Sequence, residues 1–205
     1  CFILVPLELA TWDIACRGEL IDLEPSTRTD LENIHSADRE LQNQAFVDLL
    51  AATEQPVDWA YEAWDELVID LHHPDNHVRA IAAQLLCNLA KSDPEKRILG
   101  DFGVLLEVTK DERFVTARHC MQALWKVGVV GKVQRDLLLN GLEHRFNECS
   151  AEKNCTLIRF DILQSLRNVY DVTRDESIRG KAMALIETEP DGKYRKKYTG
   201  LWRKR

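Results

Sequence analysis

The feature that most constrains the fold is a helical pattern of apolar residues that recurs about every 40 positions. Within residues 75–90, five apolar side chains fall on one helical face, namely Val78, Ala82, Leu85, Leu86 and Leu89. Small or aliphatic residues stand at matching places 37 residues upstream, 38 downstream and a further 42 along the chain. They are Leu41, Ala45 and Leu49, then Thr116, Cys120, Leu124 and Val127, then Ile158, Ile162, Leu166 and Val169. The pattern predicts four similar helices.

The repeating unit is a pair of helices, because a second apolar-periodic stretch precedes each of the last three. These stretches run from Trp59 to Leu71, from Ile98 to Lys110, and from Val133 to Phe146. A lone helix pair cannot bury its apolar face, so neighbouring pairs must stack. Two-helix units of about 40 residues are typical of HEAT and armadillo arrays.

Residues 67–82, with the sequence LVIDLHHPDNHVRAIA, resemble the signature of HEAT repeats. An aliphatic first helix leads into a Pro-Asp turn, and a Val-Arg dipeptide followed by alanines opens the second helix. Arg159, which follows an isoleucine, matches Arg79. The resemblance is clearest over residues 60–90 and weaker over 38–171, where two of the pairs lack the arginine.

In this armadillo-like family, the arginine and the turn aspartate usually make contacts between stacked repeats. The resemblance therefore implies a structural role for the signature residues, which here are Asp75, Val78, Arg79 and Arg159. It also implies the architecture that we predict for the chain. This is an all-α fold, a short right-handed α-solenoid of about four HEAT-like helix pairs with capping helices at both ends.

The two ends of the chain do not continue the repeat clearly. We predict one repeat domain over residues 1–189, followed by a basic tail over 190–205. Inside the domain, residues 1–30 form an N-terminal cap and a linker that begins at Pro25. The repeats occupy residues 31–172, and residues 173–189 form a C-terminal capping helix.

The net charge of −7 is distributed unevenly along the chain. Residues 189–205 hold seven Lys and Arg against two acidic residues, so the other 188 residues carry a net charge of −12. An acidic body does not bind nucleic acid over a broad face, because such binding needs cations that displace counterions. Only the C-terminal segment could make such contacts.

Cysteine usage and hydropathy indicate the setting of the protein. The six cysteines are scattered and form no CxxC motif, which favours a reduced, cytoplasmic protein. The sequence has no apolar run of about 18 residues, so we predict no membrane span.

The sequence carries no recognisable catalytic constellation. GxSxG, HExxH, Walker A and GxGxxG motifs are absent, so we expect neither enzymatic activity nor a cofactor. Two groups of residues invite a search for metal ligands: His72, His73, His77 and Asp75 around one turn, and His144, Cys149 and Cys155 around another. A zinc site needs three or four ligands that converge on one point. We expect polar turns and no metal site.

The repeat alignment also predicts a binding surface. Gln84, Gln122 and Gln164 hold one position on three successive second helices, opposite the apolar face. Neighbouring positions carry larger side chains, namely Arg118, Trp125, Phe160 and Arg167. The HEAT resemblance implies that second helices line a concave groove, and this composition suits a bound protein or peptide. Packing between adjacent repeats is the alternative use of these side chains.

The C-terminal tail supports a second functional hypothesis. Its basic residues are interleaved with aromatic ones and comprise Lys193, Arg195, Lys196, Lys197, Arg203, Lys204 and Arg205. This mixture suits phosphate contact with base stacking, as in a HEAT-like DNA repair or binding protein. A tail that is solvated, or lies on the acidic body, is the structural alternative. Our leading hypothesis is a non-enzymatic interaction or scaffold module, with nucleic-acid association as the alternative.

Overall fold

The computed structural model describes residues 23–203, and this part of the chain is helical without any β-strand. The protein is therefore all-α over the described residues. Its α-helices are α1 Pro25–Asn33, α2 Arg39–Ala52, α3 Ala60–Asp70, α4 Asn76–Leu89, α5 Ile98–Glu107, α6 Phe114–Ala123, α7 Trp125–Gly128, α8 Lys132–Glu148, α9 Cys155–Thr173, α10 Glu176–Glu187 and α11 Gly192–Leu201. Short 3₁₀ turns extend α4, α5 and α8.

Aspartate caps fix the start of several helices. The side chains of Asp38, Asp75, Asp175 and Asp191 each accept a hydrogen bond from the backbone N–H two residues further on. Such a cap satisfies one of the N–H groups that the first turn leaves without a partner. The polar turns between apolar stretches therefore act as helix start signals.

The helices pack as consecutive pairs arranged in two layers. Helix α1 contacts α2, α3 contacts α4, α8 contacts α9, and α10 contacts α11. Helices α5 and α6 both pack on the 3₁₀ turn that joins them, and Cys120 of α6 donates to the carbonyl of Leu105 on α5. The second helices also contact each other in order, from α2 to α4, α6, α9 and α11. On the other side α3, α5, α8 and α10 do the same. The apolar faces of both layers meet in one continuous core.

The apolar positions that we used to find the repeat lie in this core, with the exception of Leu41 on α2. Leu41 is 44% exposed, whereas the neighbouring Gln42 is buried and donates to the carbonyl of Ile34 at 2.6 Å. Val78, Leu86, Cys120, Ile162 and Leu166 are all at most 2% exposed. The largest fully buried side chain is that of Trp64 on α3, and its indole N–H donates to Asp101 of α5 at 2.8 Å. Core packing thus runs from each pair into the next.

At the N-terminal end the structure differs from the sequence prediction. Residues 25–30, which we predicted as a linker, lie in α1, which packs on α2. The proline that suggested a linker occupies the first turn of the helix, where its missing N–H costs nothing. The remainder of the predicted N-terminal cap, residues 1–22, lies outside the described residues.

At the C-terminal end, the predicted cap and tail together form one more helix pair. Residues 173–189 contain α10, and the segment expected to be a tail contains α11, which packs on α9 and α10. The tail prediction was wrong because it was based on the many basic residues of this segment. It overlooked the aromatic residues Tyr194, Tyr198 and Trp202, which recur at the helical interval of four. None of the helices between residues 23 and 203 is long and apolar enough to cross a bilayer.

Gly128 allows α7, α8 and α9 to approach one another closely. A Cβ atom at this position would lie 2.5 Å from Leu138 Cδ2 and 3.2 Å from Val169 Cγ2. Both neighbours are fully buried, so neither has free space into which it could move.

We predict that Gly128→Ala lowers the free energy of unfolding by about 1–3 kcal/mol, the usual cost of overpacking a core. Gly180→Ala is the matched control, because it lies on α10 with nothing within 4 Å of its would-be Cβ. This control should be neutral or stabilising by up to about 1 kcal/mol, because Ala is the better helix former. Urea unfolding of both variants measures the difference, and equal effects would contradict the close approach.

Candidate functional site

The three predicted glutamines lie on the second helices, but their amides serve different contacts. Gln84 Nε2 donates to the carbonyl of Ala80 on its own helix at 3.0 Å, and Gln164 Nε2 donates to Asn168 Oδ1 at 2.8 Å. Gln122 Nε2 instead reaches Asp161 on α9 at 3.3 Å. The glutamines therefore do not form a uniform row of free amides.

Arg118 holds α6 against α9. Its Nε and Nη2 donate to the two carboxylate oxygens of Asp161 at 2.7 and 3.1 Å. The Asp161 side chain is only 3% exposed, so this carboxylate needs both Arg118 and Gln122 to replace its lost water. Arg118 and Gln122, both predicted to bind a partner, instead connect two neighbouring second helices, α6 and α9.

Helix α11 occupies the C-terminal part of the predicted surface. Lys197 Nζ lies 4.7 Å from the ring centre of Phe160. Arg167 donates to Asp171 at 2.8 Å and to the carbonyl of Leu201 at 3.1 Å. Trp125 is half-buried and packs against the core. Phe160 and Arg167 thus contact a helix of the same chain.

The aromatic residues of the predicted tail are part of the core. Tyr198 is fully buried, and its hydroxyl donates to the carbonyl of Thr156 at 2.9 Å. Burial is the main cause of a raised pKa for Tyr198. Trp202 is also buried, and Arg195 donates to the carbonyl of Glu189 at 2.7 and 2.9 Å. The interleaved aromatic residues are therefore not available as a row of stacking platforms.

The rest of the basic segment is at the surface. Lys193, Lys196, Lys197 and Arg203 are exposed, whereas Lys204 and Arg205 lie outside the described residues. These exposed cations can contact a phosphate group.

The signature residues join consecutive helix pairs through ion pairs. Arg79 donates to Asp111 at 2.6 and 2.9 Å, and the hydrogen bond to Asp111 is the main reason why the pKa of Arg79 is raised. Arg39 and Asp75 make the same kind of contact one pair earlier, at 2.8 Å. Val78 is buried in the core of the repeat.

The last of these inter-pair contacts belongs to Arg159. Its Nη1 donates to Glu189 at 2.8 Å, and both side chains are largely buried. Glu189 lies in the turn before α11, so this ion pair fastens the C-terminal helix pair to α9.

A groove crosses the second-helix layer nearer the N-terminus than the predicted surface. It has a volume of about 440 Å³ and is open to solvent. Its residues come from α2, α4 and α6, namely Arg39, Gln42, Asn43, Phe46, Asn76, His77, Ala80, Ile81, Gln84, Val115, Thr116 and His119. Gln84 is the member shared with the predicted surface.

The groove combines apolar side chains with polar ones, and its one arginine, Arg39, is paired with Asp75. Phe46 and Ile81 are among the apolar side chains, and Val115 lies at the edge with 64% of its surface exposed. Arg39 and the imidazoles of His77 and His119 are close by, and none of the lining residues carries a carboxylate. Desolvation and the nearby Arg118 lower the pKa of His119 below its ordinary value of 6.5.

The sequence alignment contained a signal for this groove that we did not use. Asn43 stands 37 residues before Ala80, at the position that Arg118 and Phe160 hold in later repeats. Extension of the predicted row by one repeat towards the N-terminus would have included Asn43. Val115 and His119 carry no comparable signal, because only the packing of α6 beside α4 brings them to the groove.

The two groups of metal-binding residue types do not converge on a site. His73 Nδ1 accepts from the backbone N–H of Asp75 at 3.0 Å, while the Asp75 carboxylate pairs with Arg39. Cys149 and Cys155 do meet, with 3.3 Å between the sulfur atoms. Between residues 23 and 203, no three His, Cys, Asp or Glu side chains are placed to hold one metal ion.

Comparisons with known proteins place the chain in no family. No model of a known protein family matches it, and no curated protein is detectably similar. A crystal structure described as that of an engineered protein matches with a TM-score of 0.49 and 16% sequence identity. The match covers 87% of this chain and 47% of the other, so the chain spans about half the length of that structure.

We predict that Asp111→Ala lowers the free energy of unfolding by about 3 kcal/mol. Asp111 is 5% exposed, and its removal leaves the Arg79 guanidinium, itself 13% exposed, without its carboxylate. Asp136→Ala is the control, because Asp136 pairs with Lys132 at the surface, where such a pair contributes about 0.5 kcal/mol or less. Urea unfolding compares the two, and similar losses would show that the Arg79 contact does not hold the helix pairs together.

Proposed function

We propose that this protein is a HEAT-type α-solenoid that binds a segment of another protein in the groove over α2, α4 and α6. The observation that supports this most directly is a groove across three consecutive second helices, with apolar side chains and no carboxylate in its lining. The consecutive helix pairs and the Arg79–Asp111 type of contact between them support the HEAT part of the proposal. We also propose a cytoplasmic setting, on the basis of the scattered cysteines.

The shape of the groove favours an extended peptide segment over a small molecule. It is a depression that crosses α2, α4 and α6 and is partly open to solvent. Val115 presents apolar surface at its edge, and an apolar anchor of a partner would bury this surface together with Phe46. Asn43 and Gln84 can contact the backbone of such a segment, because an amide is both donor and acceptor.

The charge of the groove favours an acidic partner. The chain carries a net charge of −7, and yet no side chain that lines the groove is acidic. The lining holds His77, His119 and Arg39, whose guanidinium pairs with Asp75 at 2.8 Å. A carboxylate on the partner can share Arg39 with Asp75 and can accept a hydrogen bond from an imidazole N–H of His77 or His119. The expected ligand is a peptide in which an apolar side chain stands next to Asp or Glu.

Nucleic-acid association through the basic C-terminal helix is the second candidate. The exposed cations Lys193, Lys196 and Arg203 support phosphate contact. The burial of Tyr198 and Trp202 removes the aromatic stacking that made this hypothesis attractive. We therefore rank it below the peptide groove.

Two exposed valines provide a matched pair of test variants. Val115 and Val133 are each the second residue of a helix, α6 and α8, but only Val115 lines the groove. Aspartate suits the first turn of a helix, so Val115→Asp and Val133→Asp should both fold. Peptides selected from a random display library on the unmodified protein provide the ligand, and fluorescence anisotropy gives the affinity.

We predict that the selected peptides combine an apolar residue with Asp or Glu, and that Val115→Asp weakens their binding at least about tenfold. The new carboxylate repels the acidic ligand and removes the apolar contact. Val133→Asp should stay within about twofold of the unmodified protein. Equal binding by both variants would place the site elsewhere. Salt-sensitive binding of single-stranded nucleic acid that is lost in Lys193→Glu, Lys196→Glu would favour the second candidate.

The affinity for an acidic peptide should also rise as the pH falls from about 8 to about 5.5. The pKa of His119 is lowered in the free protein, and a bound carboxylate raises it, so binding takes up a proton. His119→Gln should flatten this pH profile, whereas the control His144→Gln, an exposed residue of α8 outside the groove, should leave it unchanged. An unchanged profile in His119→Gln would mean that the peptide's carboxylate does not contact this side chain.

A further inference from the structure

Two cysteines meet at the turn between α8 and α9. Cys149 follows the last residue of α8, and Cys155 is the first residue of α9. Their sulfur atoms lie 3.3 Å apart, which is a direct thiol–thiol contact. A disulfide bond requires about 2.05 Å between the sulfur atoms, so a small shift of the turn is enough to form one.

The turn is held in the shape that brings the thiols together. The guanidinium of Arg145 is 1% exposed and donates to both carboxylate oxygens of Glu152, at 2.5 and 2.8 Å. Arg145 also donates to the side chain and the carbonyl of Thr109, at 3.1 and 3.2 Å. Because Glu152 lies between the two cysteines, this clamp restrains the segment that joins them.

The two thiols differ in their access to solvent. Cys149 is fully buried, and its thiol donates to the carbonyl of Phe146 at 3.3 Å. Burial raises the pKa of the Cys149 thiol to about 12, and hydrogen bonding with Cys155 adds to the shift. Cys155 is only partly buried. Of the two residues, Cys155 is therefore the one more open to a small oxidant.

We propose that Cys149 and Cys155 form a reactive dithiol that a hydroperoxide converts into an intramolecular disulfide. In the first step the Cys155 sulfur attacks one peroxide oxygen, the O–O bond breaks, and Cys155 becomes a sulfenic acid while the peroxide leaves as an alcohol or water. In the second step the Cys149 sulfur attacks the Cys155 sulfur, and the S–O bond breaks with loss of water. One hydroperoxide is thus reduced by two electrons for each disulfide formed. This chemistry is independent of the peptide groove.

The sequence of events follows from the geometry. The more exposed cysteine, Cys155, reacts first, and Cys149, whose sulfur already lies in contact with it, is placed to resolve the sulfenic acid. The other described thiols, Cys87 and Cys120, are fully buried in the core and are protected from both steps. They act as internal references for selective oxidation.

The experiment treats the full-length reduced protein with hydrogen peroxide and follows it by intact mass and by peptide mapping after thiol blocking. We predict a loss of two hydrogen atoms, with the disulfide mapped to Cys149 and Cys155 and reversed by dithiothreitol. Cys149→Ser should accumulate sulfenic and sulfinic acid at Cys155, because no resolving thiol remains. Cys155→Ser should leave Cys149 unoxidised over the same time.

Cys120→Ser is the matched control for these variants. Like Cys149, Cys120 is a fully buried thiol whose sulfur donates to a backbone carbonyl, in this case that of Leu105 at 3.4 Å. This variant should form the disulfide at the same rate as the unmodified protein. Three results would overturn the proposal: a disulfide from Cys155 to Cys1 or Cys16, stable over-oxidation of Cys155 with Cys149 still free, or equal oxidation of Cys87 and Cys120.

Discussion

Each helix pair of this protein depends on the next pair to cover its apolar side. Trp64 shows this most clearly, because it belongs to α3 but is sealed from solvent and donates its N–H to Asp101 of the following pair. Burial of such faces supplies the main stabilising free energy. At the turns, Asp75 both caps α4 and accepts an ion pair from Arg39. A single aspartate thus caps the start of α4 and also links this helix to the preceding helix pair through Arg39.

The need to cover an apolar face also explains the position of α11. By packing on α9, this helix covers part of the predicted binding surface. Helix α9 exposes an apolar side that needs a cover, and Tyr198 and Trp202 of α11 provide it. In this position of α11, Lys197 lies over the ring of Phe160, and the carbonyl of Leu201 accepts a hydrogen bond from Arg167. Side chains that looked free for a partner are therefore in contact with the protein's own last helix.

The groove lies at the other end of the second-helix layer. No helix of the described part covers the side of α2, α4 and α6 that bears Val115 and Phe46. Further along, the buried carboxylate of Asp161 draws Arg118 and Gln122 into the layer, because a charge removed from water needs strong partners. In the groove, by contrast, the Gln84 amide donates within its own helix, and Arg39 pairs with Asp75, a carboxylate that is 29% exposed where Asp161 is 3% exposed.

The sequence alone determined the helical class and, apart from Leu41, the buried positions of the second helices, because a helix has a fixed period and its apolar residues must recur with it. The resemblance to HEAT repeats implied structural contacts for Arg79 and Arg159, and in the structure these side chains pair with Asp111 and Glu189. Only the tertiary structure decided which polar positions stay free, because this depends on which charges of other helices lie opposite them. That Arg118 meets Asp161, that α11 covers Arg167, and that Cys149 meets Cys155 are contacts between separate segments. A periodic pattern within one helix contains no information about such contacts.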